Sequence, residues 1–297
     1  MDTPLVSVII PNYNYGRYLA EAVESALNQT FPPHEVIVVD DGSTDNSLEV
    51  LAEYDGRIKV ISQNNQGVGA ARNAGARMAT GNLLAFLDAD DYWAPEKLEK
   101  QVSKFSEDPD MGLVHCGLAC VDENGDRTSE RDIVDGEQGW VADILLRVEP
   151  VIVGPGSNSL IRREVFVSVG GYDTNPNLHP SEDWELSYRV ACVYKFGFVA
   201  EPLLYYRQHG GGGHTNIGRM ERAMLIGFEK AFANGAAVDP RECYGKLYQV
   251  LAGSYFRAGQ YRGFIRNAAK SVWARPAGLR YFLEFPVRRL KDKAAKK

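Results

Sequence analysis

The chain has 297 residues, 44% of them hydrophobic and 24% charged, the composition of an ordinary globular protein with room for one large core, or a core plus an appendage. Its net charge of −6 argues against broad nucleic-acid binding. Four cysteines with no Cys-x-x-Cys pair, no basic leader and no run of 18 apolar residues lead us to expect a cytoplasmic protein in a reducing compartment.

The first hundred residues alternate between two patterns. "LVSVII" (5–10) predicts a strand, and 15–29 a helix with Leu19, Val23, Ala26 and Leu27 at helical spacing. "EVIVV" (35–39) predicts a second strand. Residues 43–54 predict a helix opened by a capping Ser43-Thr44-Asp45 cluster. "RIKVIS" (57–62), a helix over 67–79 and "LLAFL" (83–87) complete the series. Continuous apolar strands alternating with helices predict an α/β fold, a mostly parallel sheet covered by helices on both faces. After residue 94 the spacing predicts a helix (95–106), a long strand (111–121) holding Cys116 and Cys120 as core thiols, and a polar loop (122–140). A strand, short helix and turn follow, then a helix over 181–194 with Ser181 as N-cap, and a final strand ending in "YYRQH". Beyond the "GGGGH" joint (210–214) the pattern is helical only, including a paired-helix hairpin. We therefore expect two units, 1–212 and 213–297.

Every strand of a parallel sheet ends at one edge, and ligands bind beyond that edge. Here one strand ends in Pro11-Asn12-Tyr13-Asn14, one in Asp40-Asp41-Gly42-Ser43 and one in Asp88-Ala89-Asp90-Asp91. In an extended chain, side chains two apart point the same way, so Asp88 and Asp90 should converge while Asp91 turns aside. Converging carboxylates repel unless a proton or cation bridges them. Hard oxygen ligands in small number suit Mg2+ or Mn2+, with substrate phosphates completing the shell.

Taken together, "VSVIIPNYNYGRYLAEAVESALNQTF", "EVIVVDDGSTDNS", "NNQGVGAARNAG", "LLAFLDADD" and "SEDWEL" resemble glycosyltransferase family 2, the inverting enzymes of the GT-A fold, over roughly residues 4 to 210. The resemblance implies a nucleotide-sugar donor, a metal-binding Asp-x-Asp motif and a single carboxylate base. It carries the metal and diphosphate role to Asp88, Ala89 and Asp90, and contact with the base, usually uracil, to Asp41 with Asp40 beside it. It carries first-strand contacts to Pro11 and Tyr13, and a place near the nucleotide to Arg72, which the helical pattern alone would equally make a solvated residue. Asp183 matches the general base, with Glu182 as its rival or an acceptor-orienting group. Trp184 belongs either to the acceptor pocket or to the core. The Tyr-Arg-x-His element makes Arg207 a diphosphate clamp and His209 a third metal or phosphate ligand.

This implies inverting transfer of a sugar from a UDP-sugar to a hydroxyl of a saccharide or lipid-linked acceptor, in glycan synthesis. No Gln-x-x-Arg-Trp motif or membrane span is present, which points to adding one or a few sugars. Two rivals stand beside it: a non-catalytic nucleotide-sugar-binding protein of the same fold, and a dinucleotide oxidoreductase, for which "GVGAARNAG" has Arg72 where a third glycine belongs. Residues 275–297 carry eight basic residues against two acids, with Tyr281, Phe282, Leu283 and Phe285 interspersed. They read either as a solvated terminus or as a peripheral contact with an anionic membrane leaflet.

Overall fold

Apolar runs without polar alternation become strands buried on both faces. In the computed structural model, which describes residues 3–128, 132–149, 151, 155–210 and 216–284, these are β1 (Val6–Asn12), β2 (Glu35–Asp40) and β4 (Leu83–Phe86), while β3 (Lys59–Ser62) is a largely exposed edge strand. Helices α1 (Gly16–Leu27), α2 (Ser47–Ala52) and α3 (Val68–Met78) connect them, and all four strands run parallel. Next come β5 (Tyr92–Trp93), α4 (Lys97–Phe105), β6 (Met111–Val121), α5 (Ala142–Leu146) and a single turn, α6 (Pro155–Asn158). Then follow β7 (Leu160–Arg162), α7 (Arg163–Ser168), α8 (Glu182–Ala191) and β8 (Lys195–Arg207). Among the described residues the strands make one sheet in the order β3-β2-β1-β4-β7-β6-β8-β5. The expected α/β class holds. Two insertions break the parallel run: β7 is antiparallel to β4 and β6, and β5 is antiparallel to β8.

Alternate strand residues feed two cores. Ile9, Ile37, Val39, Leu84 and Phe86 face the layer holding α3 and α8. Val8, Ile10, Val36, Val38 and Ala85 face α1 and α4. Close approach of α3 needs a glycine: a Cβ on Gly75 would lie 2.5 Å from Ile9 Cγ2. That contact sets α3 tightly against the sheet, with Arg72 on the same buried side.

The helical region consists of α9 (Ile217–Ala233), α10 (Pro240–Arg257) and α11 (Tyr261–Ala274), and α10 and α11 form the expected hairpin. Its inner residues Phe228, Leu247 and Leu251 belong to the same apolar cluster as Ile9 and Phe86. Trp184 stacks on Tyr188 and Phe228 at ring distances of 5.8 and 5.2 Å, so its ring serves the core that joins α8 to α9.

Some expectations change. The helix over 43–54 shortens to α2 because Asn14 Oδ1 accepts from the Thr44 and Asp45 backbone N–H groups, holding 43–45 as a loop. Ser181 precedes α8 but caps nothing through its side chain; its hydroxyl lies 3.6 Å from Met220 Sδ. All four cysteines are free, and Cys116 is buried while Cys120 is half-buried. The glycine joint at 211–214 and the tail from Phe285 lie outside the described residues.

Candidate active site

The acidic run after β4 is not extended. The Asp91 N–H donates to the Asp88 carbonyl at 3.1 Å, closing a tight turn. Asp91 therefore does not turn aside, as alternation along a strand suggested. One carboxylate oxygen from each of Asp88, Asp90 and Asp91 lies within 4.8 Å of the others. Burial, joined by the Asp90 and Asp88 charges, holds the Asp91 carboxyl well above the usual carboxylate range. Asp88 is raised as well, by burial first; Arg72 opposes the shift and Asp90 adds to it. Three crowded carboxyls, two of them raised by burial and by each other's charge, fit a hard divalent cation, whose positive charge would offset that repulsion. Ala89 lies between them, buried, and shapes the turn with its backbone.

Arg72 is not solvated. Its guanidinium is 1% exposed and lies 5.0 Å above the Tyr172 ring. Nη2 donates to Asp88 Oδ1 at 2.6 Å, and Nη1 donates to Asp183 Oδ1 at 2.7 Å and Glu182 Oε1 at 3.3 Å. One cation thus ties the β4 turn to the first turn of α8. Burial alone would weaken its charge, but Asp183 and Asp88 more than compensate and raise its pKa further. The two acids on α8 part company. Burial raises Asp183 to about 7, Arg72 opposing and the Glu182 and Asp88 charges adding. Burial pushes Glu182 up too, but its hydrogen bond to His179 Nδ1 at 3.2 Å and the charge of Arg72 bring it below the usual value.

At the β1 and β2 tips the donors are mostly backbone. Asp40 accepts from Asn12 Nδ2 at 3.0 Å and the Ser43 N–H at 3.2 Å. Asp41 accepts from Gln63 Nε2 and the Gln66 N–H on one oxygen, and from the Gly67 N–H on the other at 2.8 Å. Pro11 is buried in β1, and Tyr13 just beyond it is 46% exposed, its ring open to solvent at the rim. Arg207 departs from the expected clamp. Nε donates to the Asp90 carbonyl at 2.9 Å, Nη1 to the Asp122 and Glu123 carbonyls at 3.1 Å, and Nη2 to Glu21. Its backbone N–H donates to Asp91 Oδ1 at 2.8 Å. Arg207 therefore braces the acidic turn from outside. His209 reaches the turn: Nε2 is 2.9 Å from Asp90 Oδ2, and Tyr15 and Tyr18 flank the ring.

Two neighbours escaped the sequence reading. Ser157 Oγ accepts from the Asp88 N–H at 3.0 Å and donates to Asp91 Oδ2 at 2.5 Å, fixing both acids. Trp93 Nε1 holds the Ser157 carbonyl at 2.8 Å. Beside it, a Cβ on Gly156 would lie 2.5 Å from Asp88 Oδ2, 2.9 Å from Arg72 Nη2 and 3.1 Å from Asp183 Oδ2. The α6 turn is the wall against which the acids and Arg72 assemble. Its only sequence signal was a Gly-Pro-Gly-Ser cluster ahead of a strand.

A mostly parallel sheet with an acidic turn at its carboxyl edge, and a buried acid across from it, defines a class of sugar-transferring scaffold, the GT-A fold. Solved structures agree on the fold. TarS residues 1–349 from S. aureus, in complex with UDP-GlcNAc, superposes with a TM-score of 0.66 at 18% identity, covering 91% of this chain and 81% of that one. The mannosyltransferase PcManGT from Pyrobaculum calidifontis, in complex with GDP-Man and Mn2+, gives 0.60 at 23%, covering 99% and 80%. In sequence, a Nostoc sp. protein named an uncharacterized glycosyltransferase is 39% identical over 218 residues, 71% of this chain and 67% of that protein. A Bacillus subtilis relative is 34% identical over 216 residues and is matched over 62% of its own length, under two thirds. Residues 7–170 match the model described as Glycosyl transferase family 2, and the chain belongs to that family.

Proposed function

We propose that this transferase moves a sugar, with inversion, from a UDP-sugar to a hydroxyl of a saccharide or lipid-linked acceptor, within glycan synthesis. The catalytic unit is residues 1–212, followed by the helical region. Asp183 takes the proton from the acceptor hydroxyl as that oxygen attacks the anomeric carbon. The bond from that carbon to the diphosphate oxygen breaks in the same step, and the nucleoside diphosphate leaves. Asp88, Asp90 and Asp91, with His209 at the side, would hold Mn2+ or Mg2+. When bound, that ion supplies positive charge to the leaving diphosphate.

The observation that carries this reading is the Arg72 bridge. One buried guanidinium holds Asp88 and Asp183 within 2.6 and 2.7 Å of its nitrogens, so the leaving-group side and the base sit across a single residue. Glu182 is paired with His179 and held low, which favours it as an ionised partner of Arg72 and leaves the proton to Asp183. A uridine donor draws support from TarS, solved with UDP and with UDP-GlcNAc. Tyr13, exposed at the rim near Asp41, offers a stacking face for a base.

The test is transfer from a panel of UDP-sugars with Mn2+, comparing wild type with Asp183→Asn. Turnover should fall about a thousandfold in the variant while donor binding persists. In wild type, the rate should rise with pH through about 7 and level off above, because the base works only once it has lost its proton. An Asp183→Asn enzyme with near-normal turnover would remove the base from Asp183.

A further inference from the structure

Helix α11 turns an apolar face outward. Trp273 is 83% exposed, Ile265 63% and Tyr261 59%, and with Ala269 they recur every four residues along one side. Arg262, Arg266 and Lys270 recur at the same interval one residue on, all exposed, so a basic column runs beside the apolar one. The inward side is different: Asn267 and Ser271 are buried, and Ser271 Oγ donates to the Gly245 carbonyl of α10 at 2.7 Å. Of the outward face Tyr261 touches α10, its ring 5.6 Å from that of Phe256, while Ile265 and Trp273 remain more than half exposed. Just beyond it, Leu279 and Leu283 are also exposed, Leu283 by 70%.

Charge says what such a face meets. From Arg257 to Lys297 the chain carries 12 arginines and lysines against two acids, Glu284 and Asp292, a net +10. The preceding 256 residues therefore carry −16. A second copy of this chain would bring the same basic face, or the strongly acidic remainder without an apolar partner surface that the charge pattern specifies. An anionic lipid surface complements both columns at once: headgroups for the arginines and lysines, and the headgroup–acyl boundary for tryptophan and isoleucine. Arg266 is tied to Glu221 and lies 5.7 Å from the Tyr255 ring, and Lys270 lies 5.0 Å from the Tyr248 ring, yet both residues stay exposed along the edge of the helix. No helix among the described residues is long and apolar enough to cross a membrane.

We infer that the outer face of α11 is a docking surface for an anionic membrane, lying in the interface without spanning it. The folded helix makes the contact, through Trp273 and Ile265 and the basic column of Arg262, Arg266 and Lys270. Docking is independent of the transfer reaction, so its failure leaves the catalytic reading untouched.

The full chain is floated with vesicles of phosphatidylcholine alone and with vesicles in which about a third of the lipid is phosphatidylglycerol. Wild type should rise with the anionic vesicles and stay behind with the neutral ones. Arg262→Glu/Lys270→Glu and Ile265→Ser/Trp273→Ser should each lower the bound fraction about tenfold, with circular dichroism and melting unchanged. Brominated lipid should quench the wild-type fluorescence and quench Trp273→Phe much less. Absence of flotation on anionic vesicles, unchanged flotation of both paired variants, or quenching that persists in Trp273→Phe would each overturn the inference. A dimer in light scattering that Ile265→Ser/Trp273→Ser dissolves, with no lipid binding, would assign the face to a second copy instead.

Discussion

Two acidic strand tips in this chain read almost alike, "VVDDGS" after β2 and "FLDADD" after β4, yet their carboxylates are placed in opposite ways. At the β2 tip, Asp40 and Asp41 are spent on the protein: Asn12, Ser43, Gln63, Gln66 and Gly67 all donate to them. At the β4 tip, three carboxylates face one another within 4.8 Å, and Asp88 and Asp91 are pushed above their usual range. A carboxylate surrounded by donors holds a fold together. Carboxylates gathered around a shared space store repulsion that a ligand can release.

That contrast predicts opposite outcomes for similar substitutions. Asp91→Asn keeps an acceptor for the Arg207 N–H and reverses the Ser157 bond, so that the amide donates to Oγ, while removing a buried charge. Transfer should fall by roughly a hundredfold or more, while the melting temperature in EDTA holds or rises; a fall in both would mean the tip is structural after all. Gly156→Ala sharpens the comparison from the wall side. Its methyl would meet Asp88 and Arg72 inside 3 Å and displace the acids without changing any of them. Turnover should drop about tenfold to a hundredfold with little change in stability. The smallest expected effect is at the other tip: Asp40→Ala removes one of the two acceptors of the Asn12 amide and the acceptor of the Ser43 N–H. Chemical denaturation should show a loss of about 1–3 kcal/mol, with catalysis per folded molecule close to wild type.

β1, β2 and β4 were legible because each apolar run is buried on both sides, a pattern with few alternatives, and the largely exposed edge strand β3 was legible from its place in the strand–helix alternation. The strand tips were legible for the same reason, since the ends of buried parallel strands must share an edge. The shape of the β4 tip was not. Alternation along an extended chain separates Asp91 from Asp88 and Asp90, whereas a single hydrogen bond back to the Asp88 carbonyl folds all three together. Nor could helical spacing reveal which way Arg72 points: α3 lies close enough to the sheet, through Gly75, to bury the guanidinium. The α6 wall and the antiparallel β7 depend on pairing between segments some 70 residues apart, Leu160 against Ala85, which no local pattern encodes. The sequence made Arg207 a diphosphate clamp, but its donors are taken up by the Asp90, Asp122 and Glu123 carbonyls and by Glu21, a pairing across long separations that no local pattern shows.

Calorimetric titration of UDP in the presence of Mn2+ separates the two tips most directly. Wild type and Asp40→Ala should bind UDP with comparable affinity and lose that binding in EDTA, whereas Asp90→Ala should show no heat with or without the metal. Undiminished, metal-dependent UDP binding by Asp90→Ala would contradict the assignment of the β4 turn as the place where the donor is held.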